Sequence, residues 1–384
     1  MSEDIIDWVI QIRRDLHRTP ELGLSEFTTK KKILKYLKEI GIEYTCFEYH
    51  TGVMAFVDAG AEKTVALRAD MDGLPLIEDV DIPFKSENYG IMHACGHDAH
   101  TAILLGVCRA IYSIKDELNV NVKFFFQPAE ETIGGARLMI EDGCMHAPKV
   151  DCIFGLHVDP TLETGKLEVK YGTLNASTDT INISVLGKNG HAGYPQFGID
   201  AIVAASHVIT ALQTIVSRNV DPADSVVLSF GVIQGGVKEN ITCDAVNIRG
   251  TLRTLNEKNR IFVKQRISEL SELIAKSFGG RAIVDIEKGY PVLVNDDSVM
   301  DYIKKNATEV LGNDKIVVRE NSSLGAEDFS YFSEKCRGGF FHIGCGTTSS
   351  LLHTATFNLN EDCLIVGLMV SIKNILSFGD MEEE

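Results

Sequence analysis

The sequence predicts an α/β fold: a mostly parallel sheet flanked by helices, interrupted by an inserted ferredoxin-like α+β domain. Three observations carry this. The chain has 384 residues, more than a single hydrophobic core usually serves, so two domains are expected. Short apolar or β-branched runs alternate with helical patterns before residue 175 and again after 290, as in parallel sheets covered on both faces. Between them the order becomes β-α-β-β-α-β, which makes a compact unit by itself. The expected boundaries are 1–174 and 290–384 for one discontinuous domain, and 175–289 for the insert.

The elements follow in order. Ile5, Ile6, Val9, Ile10 and Leu16 mark the apolar stripe of a helix over 4–18. Phe27, Leu34, Leu37 and Ile40 mark a second over 26–40, with Gly41 as its stop. "TVALRAD", "NVNVKFFFQ" and "DCIFGLHV" read as buried strands, with the helix "HTAILLGVCRAIYSI" between the first two. In the insert, "DTINISVLG" alternates in the manner of a half-buried strand. A helix over 199–217, the strands "SVVLSFGVIQGG" and "AVNIRGTLRTL", a helix over 257–278 and "AIVDIEKG" complete it. Beyond 290 come a helix near 297–311, the strands "KIVVRE" and "GGFFHIG", and a last helix over 362–378; only the final "MEEE" reads as a disordered tail.

Composition narrows the function. The net charge is −17 with no basic block, a surface that repels nucleic acid and anionic lipid. No run approaches the ~18 apolar residues of a membrane span. The opening "MSEDIIDWVIQIRRDLHR" has no secretory pattern. Nine cysteines, scattered without a CxxC pair, suit reduced thiols. A cytoplasmic location is expected.

Chemistry concentrates in "IMHACGHDAH", residues 91–100, which holds three histidines and a cysteine. On a regular helix Cys95 and His97 would diverge by roughly 200°, so a shared metal needs them in a loop; Gly96 favours one, with the helix starting just after it. "FFFQPAEE" runs an apolar strand into Pro128, after which Glu130 and Glu131 point different ways. A plain acidic turn or helix N-terminus is the competing reading. His157 in "GLHVDP" ends an apolar strand and His353 in "SLLHTATF" stands in a loop; either alone is more often structural. Together, Cys95, His97, Glu131, His157 and His353 offer mixed S, N and O donors suited to zinc, manganese, cobalt or nickel rather than calcium or magnesium. Five donors exceed the four of a closed structural zinc site and imply two ions, with Glu130 beside them as a base. His93 and His100 flank these donors, and Glu327 and Asp328 read as a helix N-terminal pair.

The segments "DLHRTPELG", "RADMDGLP", "MHACGHDAHTA", "FQPAEE", "GLHV", "GHAGYP" and "GAEDF" resemble, in matching order over nearly the whole chain, the co-catalytic dinuclear metallo-amidohydrolase and metallopeptidase family. Its members include hippurate hydrolase, N-acyl-amino-acid deacylases, N-acetyldiaminopimelate deacetylase and the plant auxin-conjugate hydrolases; aminoacylase and glutamate carboxypeptidase are similar in turn. The resemblance implies that Cys95 bridges two divalent transition-metal ions, His97 and His157 completing one site and Glu131 and His353 the other. It makes Glu130 the general base and Asp72 the residue that orients a ligand histidine. It also implies a homodimer, or a higher homo-oligomer, formed through the inserted lid domain. That domain would lend His191 of "GKNGHAGYP", the candidate oxyanion donor, and Asn240 of "KENIT" to the partner's site. Asp70 and Cys95 stand where distant carboxypeptidase relatives have a metal-binding histidine and a bridging aspartate, and Thr132 stands where a glycine is common. Beyond the resemblance, Arg249 could grip a substrate carboxylate and Gly325 could admit close backbone approach, a plain surface arginine being nearly as good a reading of the first.

The expected activity is hydrolysis of N-acyl-L-amino acids by a metal-dependent amidohydrolase. The alternatives are a carboxypeptidase or dipeptidase on the same site, a metal-stabilised binding protein without catalysis, and a dinuclear phosphoesterase, the last disfavoured by the lack of a basic phosphate cradle.

Overall fold

The computed structural model describes residues 3–346 and 350–380; the terminal "MEEE" lies outside the described residues. The chain forms two compact units. One comprises Met1–Gly172, Val294–Asn321 and Asp328–Glu384, the other Thr173–Leu293 and Ser322–Glu327.

The first unit is built on an eight-stranded sheet. Its order is Glu43–Cys46, Val53–Val57, Asn121–Gln127, Thr64–Asp70, Cys152–Glu163, Arg337–Gly346, Leu167–Val169 and Ile316–Val318. The four central strands pair in parallel, while the Val53–Val57 strand joins them antiparallel. Every residue of Thr64–Asp70 and of Asn121–Gln127 is buried. That is why these strands read as continuous apolar runs instead of alternating. The helices Glu3–His17, Phe27–Ile40, His97–Ser113, Asp297–Leu311 and Cys363–Leu376 belong to this unit. Gly41 ends the second with φ 87° and bonds back to Leu37, the stop read from the sequence.

From Thr64–Asp70 the chain crosses through His97–Ser113 to Asn121–Gln127 on one side, and later places Cys152–Glu163 on the other. The strand order therefore reverses at Thr64–Asp70, and such switch points open a crevice at the strands' carboxyl ends.

The second unit carries a four-stranded antiparallel sheet, ordered Val226–Gly235, Ala245–Thr254, Ser177–Leu186 and Arg281–Lys288, with the helices Ala201–Asn219 and Glu257–Ser277. This is the β-α-β-β-α-β order. Ile181, Ile183 and Val185 alternate inward onto both helices' apolar stripes. Ala201–Asn219 is long and apolar enough to cross a bilayer by composition, but its Ala204, Ala205, Val208, Leu212 and Ile215 are buried in this unit's core.

Candidate active site

The carboxyl ends of the parallel strands collect the donors. Gly96, at φ 86°, turns the chain immediately before the helix His97–Ser113 begins. A Cβ there would meet Val158 Cγ2 at 2.4 Å, so the position needs glycine for backbone angle and for space. The turn points Cys95 and His97 at one region although they are two residues apart. Cys95 Sγ lies 3.3 Å from His157 Nε2 and 3.3 Å from His353 Nε2. His353 Nε2 lies 3.0 Å from Glu131 Oε1, and His97 Nε2 lies 4.0 Å from the same oxygen. The structure thus brings all five candidate ligands together as two trios sharing the cysteine: Cys95, His97 and His157, and Cys95, Glu131 and His353. Within each, the donor atoms are within 4.8 Å of one another. Glu130, buried, forms a further such group with His97 and Glu131.

The supports set which atom of each ligand is available. Asp72 lies 3.1 Å from His97 Nδ1 through one oxygen and accepts from Glu131 N at 3.0 Å through the other. His157 Nδ1 lies 2.7 Å from Val158 O; only a protonated nitrogen can donate to a carbonyl, so Nε2 keeps its lone pair facing Cys95. His353 stands at φ 60°, its backbone N–H bonded to Ala94 O at 2.9 Å, which ties its loop to the one carrying Cys95.

The electrostatics fit cations. His97 Nε2 is buried and has no hydrogen-bond partner among the described residues. Burial disfavours its protonated ring, but Asp70, then Asp72 and Glu131, outweigh burial and raise the group to about 10. Burial, followed by Glu131, Glu130 and Asp70, pushes the Cys95 thiol well above its ordinary range. Carboxylates alone keep the proton on such a thiol and imidazole, and a divalent metal among them would offset that charge and favour the thiolate and the neutral ring. The residues present therefore fit two such ions.

A second layer was not read from the sequence. Arg68 donates to Gln127 Oε1 at 2.7 Å, Asp70 Oδ2 at 2.6 Å and Asp328 Oδ1 at 2.7 Å, with all three charged side chains buried. Asp328 also accepts from Gln127 Nε2 and Ala136 N. Asp328 does stand just before a helix, Ser330–Ser333, but its side chain makes no capping bond there and is instead a buried acceptor in this network. Asp70 lies 2.6 Å from His100 Nδ1, and His100 Nε2 accepts from Val158 N at 3.0 Å. His100 thus holds the backbone next to His157, while Asp70 approaches His97 Nε2 only to 3.7 Å. The available signal was two charges, Arg68 and Asp70, inside an otherwise apolar strand run. His157 also differs from expectation. It lies within the strand Cys152–Glu163, which continues through Pro160. The proline is tolerated because pairing with Arg337–Gly346 shifts register between Gly344 and Gly346, where no ladder bond is demanded.

Four other candidates lie in the second unit and are exposed: His191, Asn240, Arg249 and Gly325. His191 Nδ1 accepts from Gly193 N at 2.9 Å, and Ala192 N donates to Asn240 O at 3.1 Å, joining the two segments. Arg249 is on the sheet's outward side, opposite Asn182. Gly325 is engaged in backbone pairing, its carbonyl accepting from Ala176 N at 3.0 Å.

Fold and donors together define an α/β scaffold with a strand-end metal-ligand cluster, and comparison places it. Residues 66–376 match the model of peptidase family M20/M25/M40, and the chain belongs to that family. It is 40% identical to N-acetyl-L-cysteine deacetylase of Bacillus subtilis over 98% of this chain and 89% of that protein. It is 36% identical to thermostable carboxypeptidase 2 of Saccharolobus solfataricus, covering 98% and 97%. Among solved structures it resembles the Bacillus subtilis YxeP protein, described as a dinuclear metal-binding peptidase of the M20 family, with TM-score 0.87, 33% identity and coverage of 99% and 100%.

Proposed function

We propose that this chain is a metal-dependent amidohydrolase that cleaves the amide bond of N-acyl-L-amino acids, releasing a carboxylic acid and a free amino acid. The observation that carries the reading is the buried Glu130 carboxylate beside Glu131 and His97, their donor atoms within 4.8 Å. A binding site has no use for a second carboxylate there; hydrolysis needs one as a base. Cys95 with His97 and His157, and Cys95 with Glu131 and His353, would hold two divalent transition-metal ions, zinc, manganese, cobalt or nickel. When bound, such a pair supplies Lewis acidity toward the carbonyl and an activated water.

The chain's own residues do the rest. Glu130 takes the proton from the attacking water and passes it to the leaving nitrogen. Asp72 fixes His97 through Nδ1 and Glu131 through its backbone, so base and ligand keep their spacing as charge shifts. In this reading the second unit would lend His191 as an oxyanion donor, with Asn240 beside it, while Arg249 would grip a substrate carboxylate and Gly325 would admit close backbone approach. Homodimerisation through this unit is supported by its exposed edge strand Val226–Gly235, where Val232 and Ile233 face solvent. His191 would then serve the partner's site. Nine free cysteines suit a cytoplasmic location.

A second reading, peptide or C-terminal residue cleavage, is favoured by the likeness to a carboxypeptidase. One screen separates the two: N-acetyl, N-benzoyl and dipeptide substrates, each with added manganese, zinc, cobalt or nickel. Turnover of N-acyl amino acids well above dipeptides supports deacylation. The reverse order overturns it in favour of peptidase activity, and turnover of neither removes both.

A further inference from the structure

The pair Glu130–Glu131 sits on a turn whose backbone is strained and heavily held. Ala129 has φ 55°, an uncommon angle for a residue with a Cβ. Its carbonyl accepts from Gly134 N at 3.2 Å and Gly135 N at 3.3 Å. On the far side, Glu131 N is taken by Asp72. The Ala129 N–H, buried with its residue, is held separately.

Its acceptor is Glu26, a fully buried carboxylate more than a hundred residues away in sequence, with Oε1 2.9 Å from Ala129 N. The other oxygen, Oε2, accepts from Thr51 Oγ1 at 2.5 Å. Glu26 occupies the N-cap position of the helix Phe27–Ile40 but makes no capping bond there. The first-turn amides of that helix are served instead by Glu21, which accepts from Thr28 N at 3.0 Å and Thr29 N at 2.8 Å. A residue in the ordinary place to cap its own helix is thus turned inward and spent on the turn. The approach is close: a Cβ on Gly23 would meet Ala129 Cα at 2.9 Å.

We propose that Glu26 is a positioning residue for hydrolysis, holding the Ala129 peptide in its strained angle so that Glu130 meets the substrate water in register with Glu131. The inference rests on the amidohydrolase reading for its catalytic consequence, but not for its structural one. Removing Glu26 leaves a buried N–H without a partner and lets the turn relax. The ligand set, tied independently through Asp72 and Ala94, stays in place.

The test compares Glu26→Ala with Glu26→Gln. The glutamine keeps an oxygen for Ala129 N–H and an amide that donates to Thr51 Oγ1. Three quantities are read on each metal-loaded protein: kcat and KM, metal content by elemental analysis, and hydrogen exchange of the peptide spanning 128–133. For Glu26→Ala the expected result is a kcat loss of about tenfold or more, KM within about twofold, metal content unchanged, and faster exchange confined to 128–133. Glu26→Gln should restore both kcat and protection. Wild-type kcat and exchange in a folded Glu26→Ala protein overturn the proposal, as does Glu26→Gln being as impaired as Glu26→Ala. If Glu26→Ala does not fold, Thr51→Val removes one of the two anchors with little change of volume. It should give a smaller kcat loss and faster exchange at the same peptide, and unchanged exchange there overturns the proposal. An inactive wild type sinks the functional reading alone, since the exchange comparison still judges Glu26.

Discussion

The two larger sheets of this molecule follow the same strand physics and put their charges in opposite places. In the first unit, parallel strands are covered on both faces, and titratable groups sit buried at their carboxyl ends: Asp70, Asp72, His97, His100 and Glu130. In the second, an antiparallel sheet has one face on its helices, and Asn182, Arg249 and Glu287 are on the outward side. Its principal buried ion pair, Arg260 with Asp179, is bidentate at 2.8 and 2.9 Å and joins a helix to a strand. Buried charge beneath the first unit's strand ends therefore converges on a crevice, whereas in the second it braces a core, and the sheet ends on the edge strands Val226–Gly235 and Arg281–Lys288. Crevices at strand ends suit chemistry; open edges suit partners.

The largest effect expected from this contrast is on metal removal. Chelation should abolish activity, and readdition of a divalent transition metal should restore it. Full turnover in protein shown metal-free by elemental analysis would erase the functional difference between the units. Cys95→Ser should lower occupancy of both ion positions, whereas Cys108→Ser, buried elsewhere in the core, should leave metal content unchanged.

Next comes the network beneath the site. Arg68→Leu strands Asp70 and Asp328 without their cation, a loss of about 3–5 kcal/mol by the usual cost of breaking a buried pair. Chemical denaturation measures it; a change within about 1 kcal/mol would mean that the carboxylates find other partners.

The second unit's role is sharpened by mixing two inactive variants, His191→Ala and Glu130→Gln, under conditions of subunit exchange. If the chain forms a dimer and His191 acts across it, complete exchange gives about half heterodimer with one intact site of two, so roughly a quarter of wild-type activity should return. No recovery, with exchange verified by mass spectrometry, rules out donation across a dimer and leaves His191 acting within its own chain or not at all.

The smallest effect concerns pH. Burial, only partly offset by the Thr51 and backbone hydrogen bonds, raises Glu26 to about 7 from an ordinary 4.5. A group raised on folding contributes stability that is complete below about 4.5 and is lost as pH climbs through 7. Glu26→Gln cannot ionise and lacks this loss. Its melting temperature relative to wild type should therefore rise between pH 5 and pH 8. A difference that stays flat contradicts the shift.

Much of this was legible in the sequence. Apolar runs located the buried strands, and Gly41 and Gly96 marked a helix end and a helix start. The spacing in "HACGHD" required the loop that the structure contains. What escaped was the set of contacts distant in sequence. Asp328 reaches Arg68 across 260 residues, and Glu26 reaches Ala129 across 103. Nothing local distinguishes either carboxylate from an ordinary helix-end residue. Pro160 misled for a related reason, since whether a strand tolerates proline depends on the neighbouring strand's register.

The central claim is that Glu130 is the base of a two-ion hydrolytic centre, and its most direct test is Glu130→Gln. The substitution keeps size and burial and removes only the proton acceptor. Turnover and metal content are measured on the same preparation. The expected result is metal content equal to wild type with kcat lower by at least ~10²-fold. Near-normal turnover would contradict the claim, and loss of metal along with rate would transfer the ligand role from Glu131 to Glu130.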